Sequence, residues 1–364
     1  MSTSDRKVAI QKELDLRQID VAFILKPHNI LYFAGYASVC SGVLIFRDLE
    51  PVFCTLWLDA PEAKQMCAMS QVKGYVFPRE SLVGKMIQVI KRTIPRAKTI
   101  GVEKDFILLR DYEILLGKFP NAEFVHITPA IDQLRAIKSD KEIQMICKSA
   151  QIADKAMEAA LEAVKPGVTE IEVAAEAEYT MRKLGSEKPA FSTFVASGNR
   201  TLLAHPHATR RKIEPGDPVV IDLGATWEGY ASDICRTAFA GDPTPEQIAY
   251  LRLIVRAQGA AVSVLRDGAI SGQVYDAAYN LFQEQNLGKF LPDDIGYGVG
   301  LRQSEFFPVI EKGSSTVLKE NMVIALLQTT SFSRKTGGLR VEDIFMITRS
   351  GSEKITRHVQ ALYD

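Results

Sequence analysis

Residues 219–240 read VVIDLGATWEGYASDICRTAFA, two apolar, β-branched runs flanking a Gly-containing turn, the pattern of a β-hairpin. A two-residue turn at Trp227 and Glu228 puts Asp222 directly opposite Asp233 across the ladder, on one face of the sheet. Like charges so placed cost stability, and burying them costs more, so the pair calls for a proton or a cation. Hard divalent cations prefer carboxylate oxygens. A longer turn shifts the register instead and leaves one of the two aspartates facing solvent.

Upstream of the hairpin the chain changes character near residue 132. Residues 1–132 alternate short apolar strands (VAFIL, GVLIF, VFCTL, TIGVE, EFVHI) with helical stretches at 60–69 and 81–94, an α/β pattern expected to form its own domain. No group of titratable residues in it resembles a site. From 133 to 364 a second domain is expected. Ser139 with Glu142, and Thr169 with Glu172, have capping-box spacing and open two helices, to about Val164 and Leu184. A strand around 191–195, the hairpin, two helices between 244 and 285, and strand-and-turn sequence to the end make this part α+β, with helices on a largely antiparallel sheet.

Lys plus Arg and Asp plus Glu are both 44, so net charge gives no argument for a nucleic-acid or membrane-surface partner. The polar amino terminus and the lack of any run of about 18 apolar residues point to a cytoplasmic protein. Five cysteines without CxxC spacing argue against a disulfide framework or a thiolate zinc site.

Six motifs in order, KSDKEI, FVASGN, AHPHATRRKIEPGD, the hairpin, GYGVGL and GLRVED, resemble peptidase family M24, the pita-bread fold of methionine aminopeptidase, Xaa-Pro aminopeptidase, prolidase and creatinase. The first domain is similar to the creatinase/prolidase amino-terminal domain. In metal-dependent members two divalent ions are held by two Asp, one His and two Glu. The resemblance puts the two Asp on Asp222 and Asp233 and the last Glu on Glu342, but it puts Tyr297 at the His position and Leu327 at the other Glu. A further family histidine falls on Ser304. One ion thereby loses both of its private ligands, and the other keeps three carboxylates. A tyrosine of pKa about 10 is a poor ligand at neutral pH, and leucine is none. The expectation is no metal, or one weakly held divalent cation (Mn, Mg or Ca) on Asp222, Asp233 and Glu342.

His205, twelve residues before Asp217, has the spacing of the family's substrate-facing histidine, which in creatinase transfers protons without metal. His205 and Glu342 are thus the catalytic candidates. Tyr297, Arg340 and His207 are the candidates for substrate contact. Arg340, two residues before Glu342, is positioned to neutralise it. Tyr230 reads as structural, and Arg210 to Lys212 as a solvated charge run.

The resemblance implies a homodimeric hydrolase of a C–N bond in a small or dipeptide-like substrate, of the Xaa-Pro peptidase/creatinase type but not an ordinary prolidase. The other reading is a catalytically inactive pita-bread protein that binds or scaffolds.

Overall fold

The computed structural model describes residues 2–328 and 336–363. The chain forms two compact units, one up to Arg135 and the other from Ala136.

The first unit is a six-stranded sheet of β1 (Val21–Ile24), β2 (Gly42–Phe46), β3 (Val52–Leu56), β4 (Gln71–Tyr75), β5 (Thr99–Val102) and β6 (Glu123–His126), in the order β4-β3-β2-β1-β5-β6. Five of these are the strands expected from the sequence. The sixth, β4, is an edge strand of sequence QVKGY with only Tyr75 buried, too polar to stand out. The helix Leu82–Thr93 places Val83, Met86, Ile87 and Ile90 at i, i+3, i+4 and i+7 and buries that stripe on the sheet. Titratable groups that gather here form a structural network. Glu103 is buried and accepts from the Leu25 and Lys26 amides at 2.6 and 2.7 Å and from Asn29 Nδ2 at 2.5 Å. Arg135 Nη1 donates to Asn29 at 2.7 Å, and the Lys26 ammonium pairs with Asp105. These bonds fasten the helix Pro27–Ala34 to the strand ends.

The second unit is built on an eight-stranded sheet with every pairing antiparallel. Its strands are β7 (Phe194–Ser197), β8 (Pro218–Leu223), β11 (Ile234–Phe239), β12 (Asp294–Gly298), β13 (Glu305–Glu311), β14 (Val323–Gln328), β15 (Val341–Ile347) and β16 (Ser352–Lys354). The order is β13-β12-β14-β15-β11-β8-β7, with β16 on β15. A two-stranded tip, β9 (Thr226–Trp227) and β10 (Tyr230–Ala231), closes the hairpin. Both capping boxes form, on helices Asp140–Ala163 and Glu170–Lys183. Those helices bury Ile152, Ala156, Met157 and Ala177 against Val219, Ile221 and Leu223. Because strand residues alternate between faces, Asp222 lies on the other side from this layer.

The register differs from the expected one. Trp227 pairs with Tyr230, Leu223 with Ile234, and Asp222 with Cys235 rather than with Asp233. The turn is Glu228-Gly229, one residue later than expected, and both residues have positive φ, 48° and 81°. That is the type I′ geometry whose twist matches two paired strands, and the glycine decides where it falls. Moving the turn by one residue moves the register by two, so Asp233 remains on the face of Asp222 but becomes its diagonal neighbour.

Candidate active site

The pairings line up one row of residues across five strands. Phe194 is opposite Asp222, Asp222 opposite Cys235, Cys235 opposite Glu342, and Glu342 opposite Leu327. Directly paired residues share a face, so the row runs along one side of the sheet. The Leu327 side chain lies outside the described residues. Asp233, two residues before Cys235, joins the same face. At this point the hairpin pinches: a Cβ on Gly224 would come within 2.0 Å of the Ser232 carbonyl oxygen. Asp222, Asp233 and Glu342 each offer one carboxylate oxygen within 4.8 Å of the others.

Three carboxylates this close resist ionisation. Burial, opposed by the Arg340 charge, pushes Asp222 up to about 6. Burial and then the neighbouring carboxylates push Asp233 and Glu342 well above the usual range. Burial, reinforced by the charge of Asp233, holds the Tyr297 phenol well above its ordinary value, so it stays a donor. Its Oη lies 2.8 Å from Asp233 Oδ2 and 3.0 Å from Glu342 Oε1. A phenol has one proton, so it serves one of these carboxylates, and the second short contact needs a proton on the carboxyl side. Gln303 Nε2 donates to Asp233 Oδ2 at 2.7 Å and to Tyr297 Oη at 2.8 Å. Sequence reading missed Gln303. An amide in the loop between β12 and β13 carries no signal beyond its place beside Ser304.

On the other side of the cluster, Asp222 Oδ1 and Asp233 Oδ1 are buried without a hydrogen-bond partner. Asp222 as a residue keeps some exposure, but this oxygen does not. Together with Glu342 they form an oxygen-only donor set of the kind that suits Mg, Mn or Ca, so a divalent cation fits the chemistry of this side. Bound there, it supplies Lewis acidity toward a substrate oxygen.

Arg340 does not pair with Glu342. Its Nη1 donates to the Ala204 carbonyl at 2.9 Å and its Nη2 to the Leu203 carbonyl, while its charge acts on Asp222. It therefore joins the acidic cluster to the loop that carries the two histidines. Both imidazoles are exposed and stand edge-on to Phe194, with centroids at 6.0 Å for His205 and 5.4 Å for His207. His207 also forms a backbone bridge with Phe194, which extends the row to it. The expected solvated charge run is corrected at Arg211, whose Nη1 donates to Ser197 Oγ at 2.6 Å and to Asp217 at 2.5 Å. Tyr230 is structural, as expected, donating to Glu142 Oε1 at 3.0 Å. His358 belongs to the opposite face, where its carbonyl accepts from Arg236.

A pita-bread sheet carrying two hairpin aspartates and a β15 glutamate, preceded by a separate α/β unit, defines a hydrolase of the Xaa-Pro dipeptidase-like class. The comparisons agree. Residues 144–349 match metallopeptidase family M24 and residues 6–137 the creatinase/prolidase N-terminal domain, and the chain belongs to the M24 family. It is 35% identical over 355 residues to the Xaa-Pro dipeptidase of Pyrococcus furiosus, covering 97% of this chain and 98% of that one. The prolidase from Pyrococcus horikoshii OT3 superposes with a TM-score of 0.91 at 34% identity, covering 99% of this chain and all of that one. The Xaa-Pro dipeptidase from Bacillus anthracis gives 0.92 at 28% identity, with 99% of each chain covered. No helix among the described residues is long and apolar enough to cross a membrane.

Proposed function

We propose that this protein hydrolyses a C–N bond in a small, dipeptide-like substrate, with at most one weakly held divalent cation on Asp222, Asp233 and Glu342. It is then not an ordinary two-metal Xaa-Pro dipeptidase. The observation that carries this reading is the pair of donors, Tyr297 Oη and Gln303 Nε2, within 2.8 Å of Asp233 Oδ2. They use the oxygen that a second cation would need. The unpartnered Oδ1 atoms of Asp222 and Asp233 leave room for the first.

In this reading Tyr297 and Gln303 hold the proton inventory of the cluster, and Glu342 and Asp233 orient the attacking water. His205 moves the proton to the leaving nitrogen. His207 and Arg340 border the bound substrate, Arg340 by fixing the carbonyls of residues 203 and 204. The protein works as a cytoplasmic homodimer.

The test joins elemental analysis of the purified protein to hydrolysis assays on Xaa-Pro and other dipeptides, with and without Mn. Support is at most one ion per chain and weak Xaa-Pro cleavage that added Mn does not restore. Two ions per chain with robust, chelator-sensitive Xaa-Pro cleavage would overturn it. The same hydrogen bonds at Asp233 also favour a second reading, a non-catalytic binding module. Saturable dipeptide binding by calorimetry without turnover selects that one.

A further inference from the structure

The segment bearing His205 and His207 follows Ser197, the end of β7, touches the sheet again at the His207–Phe194 bridge and runs on through Thr209. Such excursions are mobile unless tied down. This one is clasped at both ends by a single carboxylate. Glu170, the first residue of the helix Glu170–Lys183, is fully buried. Its Oε1 accepts from the Ser197 amide and hydroxyl, both at 2.8 Å, at the entry of the loop. Its Oε2 accepts from the Thr209 amide at 3.0 Å and hydroxyl at 2.6 Å, at the exit. Between them Arg200 Nε spans both oxygens at 3.2 and 3.1 Å, and its Nη2 reaches the His207 carbonyl at 2.8 Å.

We infer that Glu170 is a positioning residue for the histidine loop: it acts through Arg200, Ser197 and Thr209 to set the two imidazoles against Phe194. The inference rests on the proposed role of those histidines. Its geometry stands apart from the acidic cluster, since the hydrogen bonds of Glu170 go to Ser197, Arg200 and Thr209 and not to Asp222, Asp233 or Glu342.

The chemistry explains why a carboxylate is needed. Five donor groups converge on two oxygens, and one of them, a guanidinium, sets the carbonyl that precedes Ala208. An amide in place of the acid offers one acceptor oxygen and turns two donor hydrogens toward the Thr209 side, where the partners are also donors. Leaving buried donors unsatisfied releases the loop rather than the sheet, because the sheet ladder does not use these groups.

The test is Glu170→Gln, with Thr209→Val and Arg200→Met as milder variants should the first fail to fold. The readout independent of turnover is the reactivity of each histidine toward diethyl pyrocarbonate, followed by peptide mass analysis. His28, His126 and His358 serve as internal controls. His205 and His207 should change their rates severalfold while the three controls keep theirs, and Mn binding measured by calorimetry should be unaltered. For the active protein, kcat/KM should fall about 100-fold, the cost of a displacement on the order of 1 Å, mostly in kcat. Unchanged rates at His205 and His207 in a folded variant overturn the clasp. If the histidine rates change and the wild type shows no turnover, the proposed function fails and the clasp stands.

Discussion

The two faces of β11 and β15 hold charged residues in adjacent positions and treat them in opposite ways. On one face Arg236, with 1% of its side chain exposed, pairs with Asp343 at 2.6 Å and donates to the carbonyls of Cys235 and Glu342. Lys354 and the Thr356 hydroxyl reach the same Asp343 at 2.9 and 2.8 Å. That face is balanced. One residue away, Asp222, Asp233 and Glu342 crowd together with no cationic side chain in hydrogen-bond contact among the described residues. A fold gains nothing from such crowding, so the imbalance marks where a proton or a cation is to be taken up.

The largest effect should come from unbalancing the balanced face. Arg236→Met leaves Asp343 with the partly exposed Lys354 as its one cationic partner among the described residues and frees buried carbonyls, so the second unit should lose about 3–5 kcal/mol in urea titrations. A loss below 1 kcal/mol would mean that the two faces are not distinct in kind.

Next is Tyr297→Phe, which takes the shared donor from Asp233 and Glu342. In chelator the variant should be about 1–3 kcal/mol less stable. Added Mn should raise its melting temperature more than it raises that of wild type. Equal metal-dependent shifts would sever Tyr297 from the cation site.

The faces should also separate by pH. In cation-free protein the carboxyls of the crowded face have raised folded-state values, Asp222 about 6, above the value of about 3.9 for an exposed aspartate. The neutral form of Asp222 therefore stabilises the fold fully below about 4, and that contribution falls by about 1.4 kcal/mol per pH unit as pH rises to 6; Asp233 and Glu342, raised further, add to the loss in the same direction. Saturating Mn should flatten or reverse the slope. Urea midpoints at pH 5, 6 and 7.5 decide it, and a stability that climbs with pH in chelator contradicts the assignment.

The smallest effect concerns the register that sorts residues onto the two faces. Glu228 is exposed at a positive φ of 48°, a conformation that asparagine tolerates better. Glu228→Asn should stabilise by about 0.5 kcal/mol. A loss of stability would argue for the earlier turn.

Much of this was readable in the chain. The capping boxes at Ser139 and Thr169 and most strands and helices follow from local pattern, and Asp222, Asp233 and Glu342 do meet. The expected turn lies one residue early, because Trp227-Glu228 and Glu228-Gly229 both fit a two-residue connection. Gly229 is the local signal for the second, while glutamate at 228 is an uncommon residue for a left-handed backbone. Gln303 and Glu170 were invisible for another reason. Each acquires its partners from residues brought near by folding, and neither type is diagnostic alone. Arg211 looked like part of a charge run because adjacent charges say nothing about which side chain turns inward.

The ladder contact between Cys235 and Glu342 joins positions on the order of a hundred residues apart. During synthesis the residues of the hairpin, Pro218 to Phe239, leave the ribosome well before those of β15. Closing so long a segment is slow compared with hairpin formation. The third carboxylate therefore reaches the pocket only after β15 has been made. Until then the nascent chain holds two hairpin aspartates with an open edge on β11, a stretch that a chaperone or a mispaired strand can reach. Assembly of the acidic pocket and protection of that edge are one event.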